Sequence, residues 1–131
     1  MEEKSKKAKK IKFREIKLPS GSEFVLGRDE SSNDELMEDY KGKDNTILHT
    51  QAPGSPFCVI KKQVSEDDVN AAATLCARYS QDWRDNKKDV KVSMFTGKDI
   101  SKEKGMKAGT WNVRKFRTII VKKEEILKIL R

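Results

Sequence analysis

The chain has little of what metal and nucleophilic chemistry needs: one histidine, His49, and two cysteines among 131 residues. A single histidine cannot build a multi-histidine metal centre, and Cys58 and Cys76 lack the C-x-x-C spacing of structural zinc sites. Each cysteine sits in an apolar run, where a free thiol packs as a small hydrophobe. No G-x-x-x-x-G-K-[ST] run is present, and Gly105-Met106-Lys107-Ala108-Gly109 has the wrong order for a nucleotide-binding loop. His49 with Cys58 or Ser55 is the one base–nucleophile pairing on offer, and no sharp nucleophile turn marks it. No apolar stretch approaches the ~20 residues that cross a membrane, and the opening MEEKSKKAKK lacks the apolar core of a secretory leader. The expectation is a cytoplasmic protein that is not an enzyme, with no cofactor, no bound metal and no small-molecule substrate.

What is abundant is charge. Charged residues make up 38% of the chain against 35% hydrophobic, and 29 lysines and arginines oppose 21 acids for a net charge of +8. The distribution is uneven. Residues 1–18 hold 8 basic and 3 acidic residues, whereas 19–48 hold 3 and 8. Residues 77–109 return to 9 against 5, and 110–131 to 7 against 2. A basic molecule with one acidic lobe has a face that attracts a polyanion and another that repels it.

Apolar patterning divides the chain into short elements. Residues 1–10 form a basic tail with almost nothing to bury, expected to be disordered, ahead of one domain over 11–131. Residues 11–18 and Glu23–Gly27 read as two strands of a hairpin joined through Pro19-Ser20-Gly21-Ser22. Ser32 and Glu35 fit a capping box for a short helix carrying Leu36, Met37 and Tyr40 and stopping at Gly42. Strands follow near Thr46–Leu48 and Phe57–Ile60, separated by the Pro53-Gly54 turn. Ser65 is placed to cap the principal helix. Its stripe Val69, Ala72, Ala73, Cys76, Ala77, Ser80 and Trp83 faces a sheet and runs to about residues 84–86. Val90–Thr96, Thr110–Val113 and Arg117–Val121 complete the sheet, and a last helical segment spans 124–130. The fold class is α+β: a mostly antiparallel sheet with one principal helix on a face and short peripheral helices.

The strongest physical signal is basic. Lys87, Lys88 and Lys91 are followed by Lys98, Lys102, Lys104 and Lys107, the last four bracketed by glycines at 97, 105 and 109, which predicts a mobile loop suited to phosphate contacts. Trp111 follows it, either as core or as a stacking platform. Gly27 allows close backbone approach, and Arg28 offers a fork for phosphate or a salt bridge to Asp29 or Glu30. His49, beside the turn, reads as a satisfied structural ring or as a donor or stacking ring near a base, half-exposed at the sheet edge. Two other partners fit the composition. A protein could dock on the acidic 29–44 segment through an exposed Leu36, Met37 and Tyr40 patch, and DNA is a polyanion that charge alone does not separate from RNA.

Four stretches, Phe24-Val25-Leu26-Gly27-Arg28 with Asn33-Asp34, Ile47-Leu48-His49 through Pro53-Gly54-Ser55, Ala71–Ser80, and Val90–Thr96 with Lys102–Gly109, together resemble the NFACT RNA-binding domain family. Their order extends into Arg117–Val121 and covers about residues 11–123. The resemblance implies an RNA-binding module, with tRNA or ribosomal RNA of the large subunit as partner in ribosome-associated quality control. In that family the domain occurs within the larger factors called NEMF in animals and RqcH in bacteria, and also as a short stand-alone protein. The stand-alone form is expected here. The chain departs from the family's D-x-W-x-H pattern at Asn45 and Ile47, and Pro56 stands where many members carry a second histidine after Gly-Ser.

Overall fold

A computed structural model describes residues 13–63 and 65–130; the predicted basic tail lies outside them. Strand β1, Phe13–Lys17, and β2, Glu23–Gly27, form the expected hairpin with Phe13 opposite Gly27. Helix α1, Glu30–Tyr40, precedes β3, Thr46–Thr50, and β4, Cys58–Lys62. Helices α2, Asp67–Arg78, and α3, Gln81–Asn86, lead to β5, Val90–Thr96. Short strands β6, Ile100–Ser101, and β7, Asn112–Val113, precede β8, Arg117–Val121, and α4, Lys123–Ile129. Six strands form one sheet in the order β1-β2-β4-β3-β5-β8, and every pairing is antiparallel. The fold class is α+β, as the apolar patterning predicts. No helix among the described residues is long and apolar enough to cross a membrane.

The sheet is covered on both faces. Phe24, Leu26, Leu48, Cys58, Ile60, Val90 and Val92 pack on one side against Ala72, Ala73, Cys76, Ala77, Trp83 and Ile126 of the helices. The neighbouring residues Val25, Ile47, Val59 and Phe95 point the other way and pack with Leu36, Met37, Phe57, Ile100 and Trp111. Successive side chains of a strand alternate faces, so β2, β3 and β4, buried on both, read as continuous apolar runs rather than alternating ones. Both thiols are free and buried.

Several local expectations are corrected. The capping box of α1 lies three residues upstream: Asp29 accepts from the Ser32 amide at 2.8 Å, and the Ser32 hydroxyl accepts from the Asp29 amide at 3.0 Å. Ser65 does not cap α2; its amide instead donates to Asp68 Oδ2 at 2.9 Å, an oxygen that also accepts from the Ser22 hydroxyl. The principal helix stops at Arg78, and Ser80 restarts it, its hydroxyl accepting from the Trp83 amide at 3.1 Å. Ser80 and Trp83 stay in phase with the stripe, so periodicity alone does not reveal the break. Residues 112–113 do not join the main sheet; they pair with β6 in a separate two-stranded one. Leu36 and Met37 are buried in the second core, so the apolar patch on which a docked protein would rest is not at the surface.

Candidate nucleic-acid interface

The site grows from the connection between β3 and β4. Ser55 is buried, its hydroxyl accepting from the Thr50 amide at 3.1 Å, while the Thr50 hydroxyl donates to Ala52 O at 2.8 Å. Gly54 takes φ +90°, the left-handed region that favours glycine, and its carbonyl accepts from the Gln81 amide at 2.7 Å. The turn is thereby docked on the start of α3. His49 is not at the sheet edge, because β3 lies between β4 and β5. Its ring stacks on Phe57 with centroids 3.9 Å apart and planes within 10°. Burial lowers the His49 pKa to about 4, against the opposing pull of a hydrogen bond to the Ser55 backbone. At neutral pH the ring is uncharged: a flat, half-buried surface rather than a cation.

The opposite wall hangs on one carboxylate. Asp34 Oδ1 accepts from Lys102 Nζ at 2.8 Å, the Gly109 amide at 3.0 Å and Trp111 Nε1 at 2.9 Å. Burial acts to raise the Asp34 pKa, but these donors together prevail and hold it below the usual 3.8. The segment expected as a mobile loop is therefore anchored on α1 and braced by β6 and β7. Gly109 sits at φ +80°, close against Glu30. Trp111 is 8% exposed and packs in the second core, so it is chiefly a structural ring, with Lys102 Nζ 5.3 Å from its centroid. Between the walls lies a cleft of about 380 Å³ lined by His49, Phe57, Gly54, Asn33, Lys107 and Trp111, among others.

Asn33 fastens the floor of this cleft. Its Oδ1 accepts from the Phe57 amide at 3.0 Å and its Nδ2 donates to Ser55 O at 3.4 Å. Gly27 makes this reach possible, since a Cβ there would stand 2.0 Å from Asn33 Oδ1. The close approach expected at Gly27 is thus that of a side chain on the neighbouring helix.

The predicted site residues separate into four groups. His49, Asn33, Pro53, Gly54, Ser55, Lys107, Gly109 and Trp111 line the main cleft. Gly27 and Arg28 line a second cleft, of about 240 Å³, that shares Glu30, Asn33, Gly54 and Ser55 with the first. Asp34 and Lys102 support the wall from behind as an ion pair. The remaining lysines line neither cleft. Lys87 adopts φ 53° after α3 and folds its ammonium back onto Trp83 O and Arg84 O, at 3.3 and 3.1 Å. Lys98 pairs with Asp44 at 2.8 Å. Lys88, Lys91 and Lys104 are exposed, and Gly105 turns at φ +91° in open space. The departures from the family pattern have structural roles: Asn45 Nδ2 donates to Ile60 O at 3.1 Å, Ile47 is fully buried, and Pro56 O accepts from Cys76 Sγ at 3.4 Å. Sequence reasoning missed Phe57, read as an ordinary strand residue, and Arg14, Tyr79 and Arg84 of the second cleft. Nothing local to residues 14, 79 and 84 signals that they meet.

The family described as NFACT protein RNA binding domain matches residues 12–115. The archaeal Rqc2 homolog aRqcH of Methanocaldococcus jannaschii is 29% identical over 68 residues, which are 50% of this chain and 10% of that protein. The chain therefore spans a small fraction of that relative's length. The C-terminal structure of the fibronectin/fibrinogen-binding protein from Streptococcus suis superposes with a TM-score of 0.75 at 24% identity, covering 89% of this chain and 48% of the other. That likeness is one of fold.

Proposed function

Because the chain belongs to the NFACT protein RNA-binding domain family, we propose that residues 11–131 act as one RNA-binding domain that holds tRNA or ribosomal RNA without altering it. The partner fits a ribosome-associated, cytoplasmic quality-control setting, in keeping with the Rqc2 relationship of the archaeal homologue. The observation that carries the reading is the His49–Phe57 stack, parallel at 3.9 Å, on the floor of a cleft with Lys107 on its wall. An uncharged, largely buried ring that reaches the cleft offers a face for an unstacked base, and an exposed lysine beside it offers charge to the adjoining phosphate. The chemistry for cleavage is poor. His49 has a depressed pKa, and burial raises the Cys58 and Cys76 thiols, Cys76 to about 12. Ser55 is buried, with its hydroxyl turned toward Pro56 O at 3.3 Å.

The test is titration of the full chain against labelled tRNA and ribosomal RNA fragments across a range of KCl concentrations, with recovered RNA run on a denaturing gel. Lys107→Ala is expected to weaken binding and lower the log–log salt slope by about 0.7, the loss of one phosphate contact on a single strand. Lys102→Ala is expected to act through stability instead, because its ammonium faces Asp34. An unchanged slope in the Lys107 variant, or RNA shortened by the protein, would overturn the reading.

A further inference from the structure

The second cleft gathers basic side chains from three separate elements. Arg14 comes from β1, Arg28 from the end of β2 and Arg84 from α3, and all three line it together with Tyr79. Tyr79 carries the guanidinium carbons of Arg14 and Arg78, each 4.2 Å from its ring centroid. Arg84 is oriented by Nη1 donating to Tyr79 O at 3.2 Å and Nη2 to Gln81 Oε1 at 2.8 Å. Among the described residues, neither Arg14 nor Arg84 has a carboxylate within ion-pair distance. Two acids, Asp29 and Glu30, line the α1 side of the same cleft, and Asp29 is engaged as the helix cap. The favourable position for an anion is therefore the Arg14–Tyr79–Arg84 wall, away from α1. A guanidinium resting over an aromatic ring can still direct N–H groups to phosphate oxygens.

The wall leads directly into the base slot. Gly54 and Ser55 line both clefts, and the Gly54 turn is held on α3 by the bond between its carbonyl and the Gln81 amide. We propose that Arg14 and Arg84 form a phosphate site for the RNA backbone next to the nucleotide on His49, so that a single strand crosses the Gly54 turn from one cleft to the other. This rests on the RNA-binding reading above and specifies it: the ligand is a splayed, single-stranded segment, since a base on His49 must leave its stack.

The experiment titrates the full chain with a fluorescein-labelled 12-nucleotide single-stranded RNA of mixed sequence, and with the same strand in a duplex, from about 50 to 300 mM KCl. The proteins are wild type, Arg14→Ala/Arg84→Ala, Arg14→Lys/Arg84→Lys and Lys107→Ala, all checked by circular dichroism and thermal melting. The double alanine variant is expected to lower the salt slope by about 1.4, or 0.7 per lost contact, while the lysine pair retains the slope. Wild type is expected to prefer the single strand. If Lys107→Ala reduces the slope and the double alanine variant does not, the arginine site is overturned while the RNA-binding reading stands. If the double variant keeps RNA but loses a polyglutamate peptide, the cleft serves acidic protein and the proposal falls. Failure of wild type to bind either RNA overturns both readings together.

Discussion

Replacing Asp34 by alanine removes one oxygen on which three donors converge: Lys102 Nζ, the Gly109 amide and Trp111 Nε1. A hydrogen bond to a charged group contributes about 1.5–3 kcal/mol in mutational series, and bonds sharing one acceptor are not additive. The ammonium recovers water on release, whereas the indole N–H, on a residue only 8% exposed, loses its partner without an easy replacement. We therefore expect Asp34→Ala to cost about 2–4 kcal/mol, and Asp34→Asn, which keeps an acceptor without the charge, about 1–2 kcal/mol. Against a domain stability of about 5–15 kcal/mol the alanine loss is large. Urea denaturation followed by fluorescence reads it, in a Trp83→Phe background so that Trp111 alone reports. The pH dependence carries a second signature. Because the folded Asp34 pKa lies below 3.8, its stabilisation is fully present above pH 3.8 and is lost as pH falls through the folded value. The alanine variant lacks that component of acid sensitivity. A stability within about 0.5 kcal/mol of wild type, the range of ordinary surface changes, would refute Asp34 as the anchor of the wall.

Two further outcomes are expected. Gly27→Ala should displace Asn33, whose Oδ1 stands 2.0 Å from the new Cβ, and leave the Phe57 amide without its acceptor; the cost is about 1–3 kcal/mol by denaturant titration, and an unaltered midpoint would contradict it. His49, uncharged down to about pH 4 in the fold and titrating near 6.5 when unfolded, should make wild type lose stability as pH falls from 6.5 toward 4. His49→Phe keeps a ring on Phe57 and should lack that component in melting curves collected across the same window.

Local signals carried much of the fold and long-range ones did not. The β1–β2 hairpin announced itself through Pro19 and Gly21 between two short apolar runs, and the buried stripe of α2 through its three- and four-residue spacing. The break at Tyr79 was hidden because the residues after it kept the same phase. The two-faced sheet was obscured for a different reason: Phe24-Val25-Leu26 and Cys58-Val59-Ile60 are continuously apolar, and continuity does not say which residue faces which layer. In the candidate site, the Gly54 turn beside His49 was legible from glycine and proline chemistry, whereas the interior position of His49 in the sheet was not. The Asp34 anchor was not, since it joins residues 68 to 77 positions apart and an aspartate on a helix carries no local mark of its partners. The lysines show the limit of counting charge. Lys87, Lys98 and Lys102 share a run with Lys107, yet each has a specific partner within the fold, and Lys107 alone of the predicted set lines the main cleft.

The placement of a separate core on each face of the sheet divides the molecule into two layers with separate sets of contacts. On one side, helices α2, α3 and α4 bury alanines and Trp83 in close contact with the strands. On the other, α1 and the residue 97–113 excursion are held by Leu36, Met37, Ile100 and Trp111 and by the Asp34 anchor. Stability is not uniform across a fold, and we expect the second layer to open while the first stays folded. Amides around Trp111 would then exchange their hydrogens by a subglobal route, faster than those of β2 and β4. Since that layer supplies a wall of the cleft, a ligand seated there would close the route, and exchange protection would spread from the cleft to Ile100 and Met37, neither of which lines it.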